Sequence, residues 1–196
     1  MNILSRQFAG RFQAGILLRP VSGMLFMLLF LCNVSEVQAQ RLAVRTNVPE
    51  WGMLSPNFGL EFALSNRLSL ECTGALCPFR LKDDLYLRRA RAQSELKYWF
   101  ENILSHHYVG IMGFYSSFDL GYREKGYFGD AYAMGLTYGY DWVLSRRWNL
   151  EFSLGLGAVR YRIARYVPTT PHGNPDESGW KFSPVKLGIS FVYIIK

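Results

Sequence analysis

From residue 42 onward the chain alternates large apolar residues with small or polar ones, in one segment after another. Two-residue alternation marks strands whose two faces meet different surroundings. Asn57 to Leu64 places Phe58, Leu60, Phe62 and Leu64 on one face, with Asn57, Gly59, Glu61 and Ala63 on the other. Beyond Ser65-Asn66-Arg67, Leu68, Leu70 and Cys72 oppose Ser69, Glu71 and Thr73. Ala92 to Phe100 sets Leu96, Tyr98 and Phe100 against Gln93, Glu95 and Lys97. Tyr132 to Trp142 sets its even-numbered residues, aromatic or aliphatic, against Ala133, Gly135, Thr137, Gly139 and Asp141. After Ser145-Arg146-Arg147, Trp148, Leu150, Phe152, Leu154 and Leu156 oppose Asn149, Glu151, Ser153, Gly155 and Gly157. The last strand sets Val185, Leu187, Ile189, Phe191, Tyr193 and Ile195 against Lys186, Gly188 and Ser190. Two further strands complete the set: a short one from Leu42 to Asn47, with Arg45 on its polar side, and Tyr108 to Leu120. The latter is apolar on both faces, so the pattern does not orient it. No segment of this region shows a helical period.

The result is an all-β chain of eight strands, the even number that single-chain bacterial barrels require. A soluble sandwich would also alternate, with its apolar face turned inward. Here the face opposite the aromatics is rich in Gly, Ala, Ser and Glu, which suits a narrow lumen with the large residues against lipid. The connections near Asn66, Asn102 and Arg146 are short, whereas those over 49–56, 80–87, 123–130 and 166–179 are longer and polar or rich in Pro and Gly. Such alternation predicts an eight-stranded antiparallel transmembrane up-and-down barrel, short turns and both termini periplasmic, long loops outside. Tyr98, Phe100, Tyr140, Trp142 and Trp148 flank the short turns as an interfacial aromatic girdle.

The N-terminus supports export. Arg6, Arg11 and Arg19 precede the apolar run Met24 to Cys32, and Val37-Gln38-Ala39 offers small residues for cleavage. A basic region, a short apolar core and such a site make a secretory signal peptide. The run falls short of the ~20 apolar residues of a spanning helix. Residues 1–39 are thus read as a signal peptide and 40–196 as one barrel domain.

The stretch Lys186 to Tyr193 (polar-x-Gly-x-x-aromatic-x-aromatic) resembles the terminal-strand signal that hands barrels to their insertion machinery. Lys186, Gly188, Phe191 and Tyr193 carry it. The segments Thr46-Asn47, Asn57-Phe58-Gly59-Leu60-Glu61, Lys97-Tyr98-Trp99-Phe100, Tyr138-Gly139-Tyr140, Trp148-Asn149-Leu150-Glu151 and Lys186-Leu187-Gly188 resemble an envelope family catalogued as domain of unknown function three-five-seven-five. The resemblance implies a small outer-membrane barrel, often described alongside fimbrial proteins, and brings no catalytic residues with it.

Net charge is +7 over the full sequence. No basic block is dense enough for a nucleic-acid site, so anionic lipid is the better partner. Cys72 and Cys77 would lie ~16 Å apart on opposite faces of one strand, too far for a disulfide. Arg45, Glu61, Glu71, Lys97, Asp141 and Glu151 each fall about four residues from the periplasmic end of their strand, which predicts a belt of paired charge filling the lumen. Arg88, Arg89 and Arg91, with Arg160, Arg162 and Arg165, form two clusters near the outer rim suited to lipopolysaccharide phosphates. His106-His107 reads as a polar turn, since adjacent strand residues cannot chelate one metal.

These features point to a monomeric, non-catalytic outer-membrane protein with a structural or interaction role, needing no cofactor or metal. Its expected partners are lipopolysaccharide, the insertion machinery during assembly, and a surface or fimbrial protein. The rival readings are a lipid A-modifying barrel enzyme, built on His172, Asp176, Glu177 and Ser178, and a narrow channel.

Overall fold

The computed structural model describes residues 42–82, 85–122, 125–166 and 177–195. The segment read as a signal peptide lies outside them, as do His172 and Asp176. Eight antiparallel strands follow one another around a closed ring. They are β1 (Leu42–Asn47), β2 (Asn57–Ala63), β3 (Leu68–Lys82), β4 (Leu85–Trp99), β5 (His106–Tyr122), β6 (Lys125–Val143), β7 (Trp148–Tyr166) and β8 (Glu177–Ile194). A five-residue helix, α1 (Val48–Gly52), joins β1 to β2. It is too short to leave a helical period, and Pro49 opens it where a missing N–H costs nothing.

The strands run higher than alternation alone suggests. β3 and β4 stay paired to Lys82 and Leu85, and β5 and β6 to Tyr122 and Lys125. Much of 80–87 and 123–130, expected as loops, is therefore strand. The pattern fails there because polar residues such as Arg80, Lys82, Lys125 and Asp130 break the apolar alternation along the sequence.

Following paired residues around the ring from Arg45 leads through Gly59, Thr73, Gln93, Phe114, Ala133 and Val159 to Lys181. The β8 residue that closes on Arg45 is Val192 instead, so the path misses its start by the eleven residues from 181 to 192. This shear tilts the strands and brings residues from very different strand positions to one height. One residue of the offset comes from a bulge: Gly155 faces Lys186 while Leu156 faces Pro184, leaving Val185 as the extra residue. Pro184 has no N–H for the ladder, so the irregularity falls where pairing is already broken. The bulge flips the strand's parity. Leu187, Ile189 and Phe191 point out below it, and Trp180 and Phe182 point out above it. Val185, expected on the outer face, is buried for this reason.

The ring hides its polar residues and displays its apolar ones. Met134, Leu136 and Leu187 are 71%, 68% and 69% exposed, whereas Lys97, Glu151 and Asp141 are fully buried. Tyr108, Gly110 and Met112 face inward and Val109 and Ile111 outward, which orients β5. Gly110 and Gly139 are needed on the inner face. A methyl on Gly110 would sit 2.9 Å from Glu95 Oε1, and one on Gly139 would occupy the place of the Tyr108 ring.

The end of the ring where β1 begins and β8 ends is stoppered. Ile103 and Leu104, from the β4–β5 turn, fold in against Trp99, Tyr108, Val192 and Ala43. Leu104 adopts φ 59° to do so, and Asn149 Nδ2 donates to its carbonyl at 2.8 Å. Trp99 and Tyr108 pack with ring centroids 4.8 Å apart. We predict that Ile103→Ala destabilises the refolded chain by about 2–4 kcal/mol, as expected for a buried aliphatic truncation. Urea unfolding checks this, and an unchanged midpoint would show that the turn does not plug the end.

Candidate functional site

Arg45 lies at the centre of the lumen. Its Nη1 is 2.6 Å from Glu61 Oε2 and 2.6 Å from Glu71 Oε2, and its Nη2 is 2.5 Å from Glu151 Oε1. Lys97 Nζ meets the same three carboxylates at 3.0, 2.9 and 2.8 Å. Lys186 adds a third cation, bound to Glu95 and 3.4 Å from Glu71. Three cations and four carboxylates, from six strands, thus make one network. All are buried, Lys186 the least so at 8% exposure.

Neutral donors take up remaining lone pairs. Ser69 Oγ donates to Glu61 at 2.6 Å and itself accepts from Trp99 Nε1 at 2.9 Å. Tyr108 OH donates to Glu151 at 2.8 Å, Thr73 to Glu71 at 2.9 Å and Thr137 to Glu95 at 2.5 Å. Lys97 also lies over the Tyr108 ring, 4.6 Å from its centroid. Buried ions persist only when paired, and most here are hydrogen-bonded as well; Arg45 Nη2 meets Glu151 as an ion pair outside hydrogen-bond geometry. Its chemistry is cohesive: each carboxylate is held by a cation, so none is poised as a base.

Five of the six residues expected in the belt are brought together. Asp141 stands beside the network and accepts from Asn149 Nδ2 at 2.8 Å. Glu95 and Lys186 belong to the network although equal height along the strands does not select them. Glu95 shares a face with Lys97, two residues away, and shear levels the difference. Lys186 had been read as part of the insertion signal, yet its side chain is turned into the lumen. Of the other residues of that signal, Gly188 lies against Ser153, Phe191 points outward, and Tyr193 packs on Trp148 at 4.9 Å.

Residues 24–195 match the family model described as "Protein of unknown function (DUF3575)". The chain belongs to the DUF3575 family. No curated protein matches it.

Elsewhere on this DUF3575 chain the expected sites divide. Arg91, grouped with Arg88 and Arg89 as a lipid-phosphate contact, is turned inward: its Nη1 pairs with Glu50 at 3.0 Å, and its Nη2 donates to Gln93 at 2.6 Å. Strand parity with Gln93 and Lys97 demands this, and only the density of arginines had suggested a common surface. Arg89 shares that parity, while Arg88 is exposed on the outer face. Arg160 and Arg162 are exposed as well, Arg160 over the Trp180 ring at 5.8 Å and Arg162 paired with Asp130 at 3.1 Å. Arg165 is on β7, with its side chain outside the description. His106 and His107 open β5 instead of forming a turn. His106 Nδ1 is 3.1 Å from Glu101, and His107 Nδ1 is 2.6 Å from Tyr138 OH. Among the described residues no cluster of His, Cys, Asp and Glu fits a metal ion, and Cys72 and Cys77 are not bridged.

The network predicts an asymmetry. Lys97→Met leaves Glu61, Glu71 and Glu151 short of a cation and should cost about 3–5 kcal/mol of stability. The double variant Lys97→Met/Glu61→Gln removes a charge of each sign and should lose less. A double variant at least as unstable as the single one in urea unfolding would contradict the network.

Proposed function

We propose that this protein is a non-catalytic outer-membrane barrel with a structural or interaction role at the cell surface. One observation carries the reading: a closed ring buries eight charged side chains among the described residues and shows lipid-like residues around its outside. In water such a belt would drive association. In a bilayer it is the expected surface of a barrel. β3 to β8, at 15–19 residues, exceed the ~9–11 that a tilted strand needs to cross. Their upper parts would stand above the outer face, with short turns, both termini and the aromatics Trp142, Trp148 and Tyr98 on the periplasmic side. Residues 1–39 would serve as the cleaved export signal, and Phe191 and Tyr193 as the mark read during insertion.

The filled lumen and the stoppered end favour a sealed barrel over a channel, which leaves the outer surface to make contacts. Arg160 and Arg162 continue the outward face of β7 directly above Leu154 and Leu156, with Trp180 and Tyr132 beside them. This is where lipopolysaccharide phosphates would lie. A surface or fimbrial protein would meet the loops above.

Fractionation of cells carrying the native gene should recover the protein in outer membranes, with protease cleaving it only at the long-loop end. Recovery in soluble periplasm would end the membrane reading. Arg160→Gln/Arg162→Gln should insert normally and retain several-fold less lipopolysaccharide through purification at low salt, a difference that shrinks as salt screens the contact. Equal retention would leave these arginines as solvated surface.

A further inference from the structure

β1 and β2, at six and seven residues, are less than half as long as the strands beside them. Pairing of β1 with β8 stops at Asn47 and Ser190, while β8 continues to Glu177 against β7. The β8 edge above Ser190 therefore lacks a strand, which hydrocarbon does not tolerate. Two side chains substitute for it. Asn47 accepts from the Ile189 N–H at 3.2 Å and donates to the Leu187 carbonyl at 3.5 Å. Arg91 Nη2 donates to the Val185 carbonyl at 3.1 Å from inside. Pro184, next in line, has no N–H to satisfy.

α1 covers this stretch of wall. Val48, Trp51, Met53 and Leu54 are exposed on and just beyond it, as is Phe58 at the start of β2. Glu50 points the other way, onto Arg91, both side chains 12% exposed. Behind the helix is a cavity of about 30 Å³ lined by Glu50, Arg91, Gln93, Lys186 and Glu71 among others. Arg91 Nε, Glu50 Oε2 and Ser55 Oγ are buried without a hydrogen-bond partner among the described residues. The helix itself has no buried residue. Its ties are the Glu50–Arg91 pair, a 2.7 Å bond from Trp51 Nε1 to Thr46 Oγ1, and the bonds of Asn57 to Asn47 at 2.7 and 2.8 Å. Leu54 holds φ 56° to close the segment, a backbone state that non-glycine residues seldom adopt.

We infer that α1 is a side door in the barrel wall, and that the polar site behind it takes the phosphate head group of a membrane lipid. A phosphodiester that replaces the Glu50 carboxylate on Arg91 conserves charge, and a phosphate monoester adds negative charge, with Lys186 beside it as a second cation. The guanidinium fork suits phosphate, and its unused Nε supplies a further donor. Lys186 and Gln93 line the same cavity. The lipid tail would lie along the apolar side chains of α1 and Phe58. This inference rests on the outer-membrane placement proposed above, but its test does not depend on cellular location.

The full chain, refolded in dodecyl maltoside, is titrated with dodecyl phosphate or, separately, with inorganic phosphate. Binding is followed by the Arg91 Nε–H resonance and by adduct mass. Wild type should take one dodecyl phosphate, and Glu50→Gln, freed of the competing carboxylate, should bind it about ten-fold more tightly. Arg91→Lys, which keeps the charge and removes the fork, should bind at least several-fold more weakly, with folding verified by heat-modifiable migration. Inorganic phosphate, having no tail, should leave the resonance in place at the same concentration. Unaltered affinity in Glu50→Gln would overturn the inference, as would inorganic phosphate binding as well as its alkyl ester. Soluble fractionation of the native protein would remove the membrane placement and leave the binding result standing.

Discussion

Closure of the ring and neutralisation of its interior are one event. β1 meets β8 over only five paired positions, where the β7–β8 and β6–β7 seams run the length of their strands. Arg45, carried by β1, reaches Glu61 on β2, Glu71 on β3 and Glu151 on β7. Lys186, carried by β8, reaches across to Glu71 and Glu95 on β3 and β4. Each strand of this short closing seam thus sends a cation through the lumen. Before closure the carboxylates of β2, β3, β4 and β7 lack most of their counter-charge, and a buried carboxylate without a partner is costly. An open sheet is disfavoured inside as well as at its edges, so the register that completes the ion pairs is also the register that closes the ring.

This arrangement explains the small residues around it. An eight-stranded ring has an interior just wide enough for side chains to fill. Long charged residues can cross such a space only where their neighbours recede, and Gly59, Gly110 and Gly155 recede where Arg45, Glu95 and Lys186 advance. The inner face reads as a sequence of small and charged positions because the two kinds of residue share one volume. Outside, the same strands obey no such packing. Leu, Phe, Trp and Met stand free, as they would against a fluid medium that adapts to them.

Alternation made the eight strands legible because each face has one consistent environment through most of its height. It failed where that consistency ends. Over 80–87 and 123–130 polar residues break the alternation, so strand resembles loop. β5 carried no signal because Tyr108 and Met112 are large on the inner face, where the plug and the layer above it need bulk. Val185 was misplaced by a single-residue bulge, which the sequence announces only through Pro184. Most of the charge belt was legible from parity and height together. Glu95 and Lys186 escaped because shear, which no local pattern records, decides which residues share a level. Arg91 was misjudged by grouping charges along the chain, although Gln93 and Lys97 on the same strand give its direction.

The filled lumen narrows where this molecule can act. Trp99, Tyr108, Ile103 and Leu104 block the end where β1 begins and β8 ends, and the ion pairs occupy the middle. A further apolar layer, Met112, Ala133 and Val185 with Phe114 and Val159, lies beyond them. A solute passing along the axis would have to dismantle charge pairs that hold the ring closed, so conduction and stability would oppose each other. The wall at α1 is different. There the backbone ladder is replaced by Asn47 and Arg91, and the helix is held over the cavity by the Glu50–Arg91 ion pair and a few side-chain hydrogen bonds. Opening at that point breaks no strand pairing. If the molecule has a moving part, energy places it in the wall beside β8, away from the lumen axis.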